Sequence, residues 1–219
     1  MGRCIIIGAG DFSDLTWNRT VDIHNDDLII AADGGYDHIK KAGIVPDIII
    51  GDMDSLDDKS KTDVSCLHND IEIYRLPVEK DDTDMLAAIR IGLDKGYKDF
   101  IIFGALGGRF DHTFANLQCL LFLLNRGANG VLYGDNEKIM LLRNGRVDLP
   151  EEMKGSISVF AFAGNAKGVT EKGLKYGLEN AELKSEFPIG ISNEFAGTQS
   201  SIEVKDGTLL IDVRWQLFD

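Results

Sequence analysis

Six short runs rich in β-branched residues, RCIIIG, DLIIAAD, DIIIGD, IEIYRL, DFIIFGAL and GVLYGD, recur through the first 134 residues. Between the last pairs of them lie segments of helical period, DTDMLAAIRIGLDKG and DHTFANLQCLLFLLNRG. Strands that are apolar on both faces and alternate with helices cannot sit at a water-facing sheet. The pattern predicts a parallel sheet covered by helices on both faces. Asp82 or Thr83 is expected to cap the first helix and Asp111 the second, with Gly96 and Gly127 marking their ends.

Beyond Gly134 the helical period disappears. Short alternating stretches follow, KIMLLRNG, SISVFAFAG and SIEVKDGTLLIDVRWQL, broken by Gly, Asn and Pro. They predict an all-β unit, a sandwich or small barrel, with a hairpin turn expected at Asp206-Gly207. The expected division is an α/β domain over 1–134 and a β domain over 135–219.

The stretch IIIGDMDSLDD runs a strand suited to burial straight into four aspartates. Carboxylates held close together repel and lose hydration unless a cation or donor meets them. In an open parallel sheet, ligands bind beyond the carboxyl ends of the strands. The residues at those ends form a set: ADGG (32–35), GDMDS (51–55), EKDDTD (79–84) and GALGGRFDH (104–112). An isolated D-x-D serves as readily for a helix cap or a turn, but four acidic or glycine-rich loops on successive strand ends favour a common site.

Asp52, Asp54 and Asp84 supply hard oxygen donors suited to Mg²⁺. The pairs Gly34-Gly35 and Gly107-Gly108 allow close backbone approach to phosphate, and Lys80 and Arg109 offer charge-assisted contacts to the same anion. The set suggests a Mg-nucleotide site. GAGDFS, after the first strand, is half of a dinucleotide fingerprint. Ser13 replaces its third glycine and no helical run is read behind it, so a tight turn, phosphate-facing at most, is expected. His24, His38 and His68 have no neighbouring ligand pattern and are read as packing residues, whereas His112 lies within the densest motif.

The net charge of -13 and the scattered Lys and Arg exclude a nucleic-acid surface. No run approaches the roughly 20 apolar residues of a membrane span. The start MGRCIII lacks the features of a signal peptide, so the chain reads as cytoplasmic. Cys4, Cys66 and Cys119 have unrelated spacings and read as inert thiols.

Taken in order, ADGGYDHIKKAGIVPDIIIGDMDS, EKDDTDM, GALGGRFDHTFANL, KGLKYGLEN and GISNEF resemble the bacterial type of thiamine pyrophosphokinase over nearly the whole chain. The resemblance implies an α/β catalytic domain, a β-sandwich thiamine-binding domain and a homodimer with active sites between subunits. The implied reaction takes thiamine and ATP to thiamine diphosphate and AMP. It also implies Asp52, Asp54 and Asp84 as Mg²⁺ ligands. Asp33, Gly34, Gly35, Lys80, Thr83, Arg109, Asp111 and His112 fall around the nucleotide, and Tyr176, Ser192 and Asn193 on the thiamine side. Asp84, Asp111 and Arg109 are the catalytic candidates, either aspartate being available as a base.

Two rivals use similar residues. A D-x-D nucleotide-sugar transferase also holds a diphosphate through a metal, but the small β unit is a poor acceptor domain. A Mg-nucleotide or thiamine sensor would bind without turnover. A haloacid-dehalogenase-like phosphatase is disfavoured, because its D-x-D follows the first strand and not the third.

Overall fold

A computed structural model describes residues 2–51, 71–77 and 82–215. The chain divides into two compact units, Met1–Asp135 and Asn136–Asp219. In the first, strands β1 (Cys4–Ile7), β2 (Leu28–Ala32), β3 (Ile48–Gly51), β4 (Glu72–Arg75), β5 (Asp99–Phe103) and β6 (Asn129–Tyr133) form a wholly parallel sheet in the order β6-β5-β1-β2-β3-β4. Its helices among the described residues are α1 (Asp14–Thr20), α2 (Gly35–Lys41), α3 (Asp84–Asp94) and α4 (Phe110–Leu124).

The register explains why the strands read as continuous apolar runs. Cys4 and Ile6 pair with Phe100 and Ile102, while Ile5 and Ile7 pair with Ile101 and Phe103. Ile5, Ile7, Ile29 and Phe103 pack with Trp17 of α1 and with Tyr36 and Ile39 of α2. On the opposite face Gly92 of α3 lies against Cys4 and Phe100. Both faces are thus covered, and Ile5, Ile6, Ile7, Ile30 and Ile48 are fully buried. Each such isoleucine contributes about 2 kcal/mol of transfer free energy. Burial pushes the Cys119 thiol up to about 11 and that of Cys4 higher still, so both are inert.

Three local expectations need correction or completion. Thr83 caps α3, its Oγ1 accepting from the Leu86 N–H at 3.2 Å, while Asp82 pairs with Arg90 at 2.9 Å. The cap position of α4 is Arg109, not Asp111, which sits in the first turn. A helix does follow the GAGDFS loop: Ser13 caps the seven-residue α1, accepting from Thr16 N–H. That helix is short and its period is masked by polar residues, so its apolar anchor, Trp17, carries little signal in sequence.

The second unit is β-rich: β7 (Glu137–Leu149), β8 (Ser156–Ala161), β9 (Ala166–Lys172), β10 (Leu178–Leu183), β11 (Asn193–Glu194) and β12 (Ser200–Arg214). Its pairings are antiparallel. The expected hairpin at Asp206-Gly207 does not form. Instead β12 continues through it, with a register shift between Val204 and Thr208. Residues on one side of that irregularity pair with β9 and those on the other with β8, while β7 pairs along both. A bulge lets one strand serve two sheet regions without reversing. Between them lies a core that includes Ile157, Val159, Val169, Ile202, Leu209 and Ile211.

Candidate active site

Strand order fixes where the first unit can bind a ligand. From β1 the chain proceeds outward through β2, β3 and β4, then returns to β5 on the other side of β1 and proceeds to β6. The loops leaving β1 and β5 therefore diverge, which opens a crevice at their carboxyl ends. A cavity of about 620 Å³ lies there, walled by Gly8, Ala9 and Gly10 after β1 and by residues 104–109 after β5.

The two loops are joined by backbone hydrogen bonds. Gly10 N–H donates to Gly104 C=O at 2.8 Å, and Asp11 N–H to Leu106 C=O at 3.0 Å. Gly104 has φ +61°, and a Cβ there would fall 2.1 Å from Gly8 O. Only glycine permits that approach. The junction glycine of IIIGD behaves similarly: Gly51 has φ +152°, and a Cβ would lie 3.1 Å from Asp33 Cα. Its strand neighbour Ile50 accepts from Asp33 N–H at 2.7 Å, which brings the ends of β2 and β3 together.

Asp33, Thr83, Asp84, Arg109, Asp111 and His112 all border the cavity. Asp84 opens α3 and Arg109 precedes α4, so the positive ends of two helices also face it. Gly34 precedes α2 and Gly35 begins it, both buried below this rim. Arg109 donates from Nη2 to Asp111 Oδ2 at 2.6 Å and from Nε to Oδ1 at 3.1 Å. Those hydrogen bonds hold the Asp111 carboxyl below the usual carboxylate range and strengthen the positive form of Arg109. His112 N–H also donates to Asp111 Oδ1, at 3.0 Å. Asp52, Asp54 and Lys80 lie outside the described residues.

Two further contributors stand outside the candidates that the sequence motifs supply. Gly8–Gly10 form a wall of the cavity, and His38 supports that loop, with Nε2 3.0 Å from Gly10 O and its ring stacked on Phe12. Asn116 is buried and donates from Nδ2 to Ala105 C=O at 2.7 Å, fixing the loop after β5. Its place in GGRFDHTFAN was the available signal.

In the second unit Tyr176, Ser192 and Asn193 come together. Asn193 Nδ2 donates to Tyr176 C=O at 2.6 Å and its Oδ1 accepts from Tyr176 N–H at 3.0 Å. Tyr176 is 63% exposed. Ser192 is exposed at φ +57°, its N–H bonded to Ser158 Oγ at 3.0 Å. Lys175 pairs with Glu194 at 2.8 Å, linking the same two segments.

A family model described as the thiamin pyrophosphokinase catalytic domain matches residues 22–132, and one described as the thiamin pyrophosphokinase vitamin B1 binding domain matches 146–209. Over 210 residues the chain is 28% identical to thiamine pyrophosphokinase of Bacillus subtilis, covering 95% of this chain and 97% of that one. It is 26% identical to thiamin pyrophosphokinase 1 of Caenorhabditis elegans, covering 83% of this chain and 76% of the relative. The crystal structure of the B. subtilis thiamine pyrophosphokinase superposes with TM-score 0.87 at 27% identity, covering 98% of this chain and all of that one. Yeast thiamin pyrophosphokinase shares the fold, with TM-score 0.80 at 17% identity over 98% of this chain and 86% of its own.

Proposed function

The chain belongs to the thiamin pyrophosphokinase family, and from that premise we propose that it transfers the pyrophosphoryl group of ATP to the hydroxyl of thiamine, releasing AMP. The observation that carries this reading is the cavity at the switch point of the first unit. Glycine backbone, two helix N-termini and the side chains of Asp33, Asp84, Arg109 and Asp111 border one space of about 620 Å³. We assign the nucleotide to this unit and thiamine to the second.

Hydroxyl attack on the β-phosphorus breaks the bond to the α-phosphate oxygen, which leaves with AMP. Positioning and charge stabilisation supply most of the acceleration in such a step. The loops of Gly8–Gly10 and 104–108 approach the phosphates through backbone, where side chains would obstruct. Arg109, steered by its two bonds to Asp111, places a planar donor set against phosphate oxygen. Asp111 thereby acts as an orienting partner: both its oxygens accept from Arg109, and those bonds hold its carboxyl below the usual carboxylate range. Asp84 is the remaining candidate to accept the hydroxyl proton or to ligate metal. Thr83 fixes the turn from which Asp84 projects, and Lys80 and His112 are assigned to the nucleotide side.

Among the carboxylates at the cavity, Asp33 and Asp84 are hard donors of the kind a Mg²⁺ ion takes, so the donor chemistry fits. Asp52, Asp54 and Asp84 would hold it. When bound, the ion supplies neutralisation of charge on the phosphate oxygens. We further propose a cytoplasmic homodimer with active sites between subunits. Phe110, 79% exposed, and Phe114, with ring centroids 6.2 Å apart beside Arg109, support an apolar contact there.

Incubation with ATP, thiamine and Mg²⁺, followed by chromatography of nucleotides and thiamine esters, tests the reading. AMP and thiamine diphosphate in equal amounts, dependent on both thiamine and metal, are expected. A nucleoside diphosphate released on transfer of a sugar would favour the D-x-D transferase, and binding without product the sensor.

A further inference from the structure

Asn193 uses its whole amide inside the protein. Beyond the two bonds to Tyr176 backbone, Oδ1 accepts from Glu194 N–H at 2.9 Å and Nδ2 donates to Glu171 Oε2 at 3.1 Å. Two donors and two acceptor sites are the full capacity of a primary amide, so none remains for a ligand. At 7% exposure the side chain is also out of reach. Although the thiamine-side motif contains it, its chemistry here is that of a clamp, holding both backbone polar groups of an exposed tyrosine.

The partner that completes the clamp is unusual. Glu171, on β9, is 3% exposed, and its neighbours on that strand, Val169 and Ala166, belong to the apolar core of the unit. Its other oxygen, Oε1, is buried with no hydrogen-bond partner among the described residues. An ionisable group in such a place is unfavourable on packing grounds, since an apolar side chain would fill the volume without desolvation. What a carboxylate provides is an acceptor directed at Asn193 Nδ2. That acceptor takes the second Nδ2 hydrogen and so reinforces the three bonds to Tyr176 and Glu194 backbone that hold the amide one way round.

We propose that Glu171 is a positioning residue for the thiamine subsite: it orients Asn193, which in turn presets the segment bearing Tyr176. The inference rests on the assignment of Tyr176 and Ser192 to thiamine. It moves Asn193 from substrate contact to support and adds a residue outside every motif that carries the family resemblance. The segment is also held by Lys175 N–H donating to Glu194 C=O at 2.9 Å, by the Lys175–Glu194 ion pair and by the Leu174–Phe195 bridge, none of which bonds Tyr176 N–H or C=O. The clamp therefore presents a ring whose backbone is already ordered, reducing what must be ordered on binding.

Steady-state kinetics of Glu171→Leu, Glu171→Gln, Glu171→Asp and Tyr176→Ala test this. Glu171→Leu is expected to raise the thiamine KM about tenfold, with kcat and the ATP KM close to the parent's. Glu171→Gln, whose amide oxygen can still accept from Asn193, restores the thiamine KM. Glu171→Asp keeps the charge but withdraws it by one methylene, and reproduces the defect without opening a large void. Should Tyr176→Ala raise the thiamine KM while Glu171→Leu and Glu171→Asp do not, the positioning role is overturned and the thiamine assignment stands. If none of the variants moves it, the assignment itself fails and takes the inference with it. A defect shared equally by Gln would also overturn it, since that variant retains the acceptor.

Discussion

The two candidate sites are built from opposite materials. At the carboxyl end of the parallel sheet the framework is backbone: Gly8, Gly10 and Gly104 bring two loops together, and charged side chains stand on that frame. Arg109 and Asp111 pair at 2.6 Å with both side chains more than half exposed. In the β-rich unit the framework is side chain. One buried amide, Asn193, holds Tyr176 and Glu194 and is itself held by Glu171. A backbone frame suits an anionic ligand that needs many N–H donors and close approach. A side-chain clamp suits the display of a single aromatic surface.

The contrast can be broken most severely at the rim of the parallel sheet. Asp84→Asn is expected to lower kcat/KM by roughly 10²–10³-fold, the magnitude associated with losing one charged group at a phosphoryl-transfer centre, with little change in thermal midpoint. Near-parental turnover would remove Asp84 from the catalytic set. Next in size is Gly104→Val, where a Cβ meets Gly8 O at 2.1 Å and φ is +61°. A loss of about 3 kcal/mol in urea unfolding is expected. A loss below ~1 kcal/mol would show that the backbone frame tolerates side chains.

Acid sharpens the comparison, because the units carry shifted carboxyls of opposite sign. Burial pulls Asp27 upward, but hydrogen bonds from Arg3 and from the His24 and Arg3 N–H groups outweigh it and bring the pKa down to about 2. A depressed carboxyl stabilises the fold above its unfolded value and loses that contribution as pH falls toward 2. The loss is about 2 kcal/mol. Burial moves Glu171 the other way, its bond from Asn193 only partly opposing. Its protonated form is favoured in the fold, so that contribution is greatest at low pH and declines as pH rises through the raised value. Asp27→Asn should therefore flatten the acid limb of the stability profile, and Glu171→Gln should stabilise at neutral pH relative to acid. Parallel profiles for parent and both variants would contradict these signs.

The same contrast explains what could be read from residues alone. The parallel sheet, its two covered faces and its candidate rim follow from local patterns: RCIIIG, DLIIAAD and DIIIGD are each complete within a few residues. Motifs such as GGRFDH carry their geometry in consecutive positions. The clamp could not be read this way, because Glu171 and Asn193 are brought together by strand pairings far apart in sequence, and neither residue is distinctive alone. The failed hairpin at Asp206-Gly207 has a related cause. A Gly-containing turn signal and a bulge signal are the same residues, and only the partners of β12 on either side decide between them. For α1, a polar surface concealed its one buried apolar anchor, Trp17.

Attack at the β-phosphorus separates pyrophosphoryl transfer from phosphoryl transfer. ATP labelled at that phosphorus, incubated with thiamine, Mg²⁺ and the protein, follows it directly. Label is expected in thiamine diphosphate, equal in amount to unlabelled AMP. Label retained in ADP, with thiamine monophosphate as the other product, would contradict it.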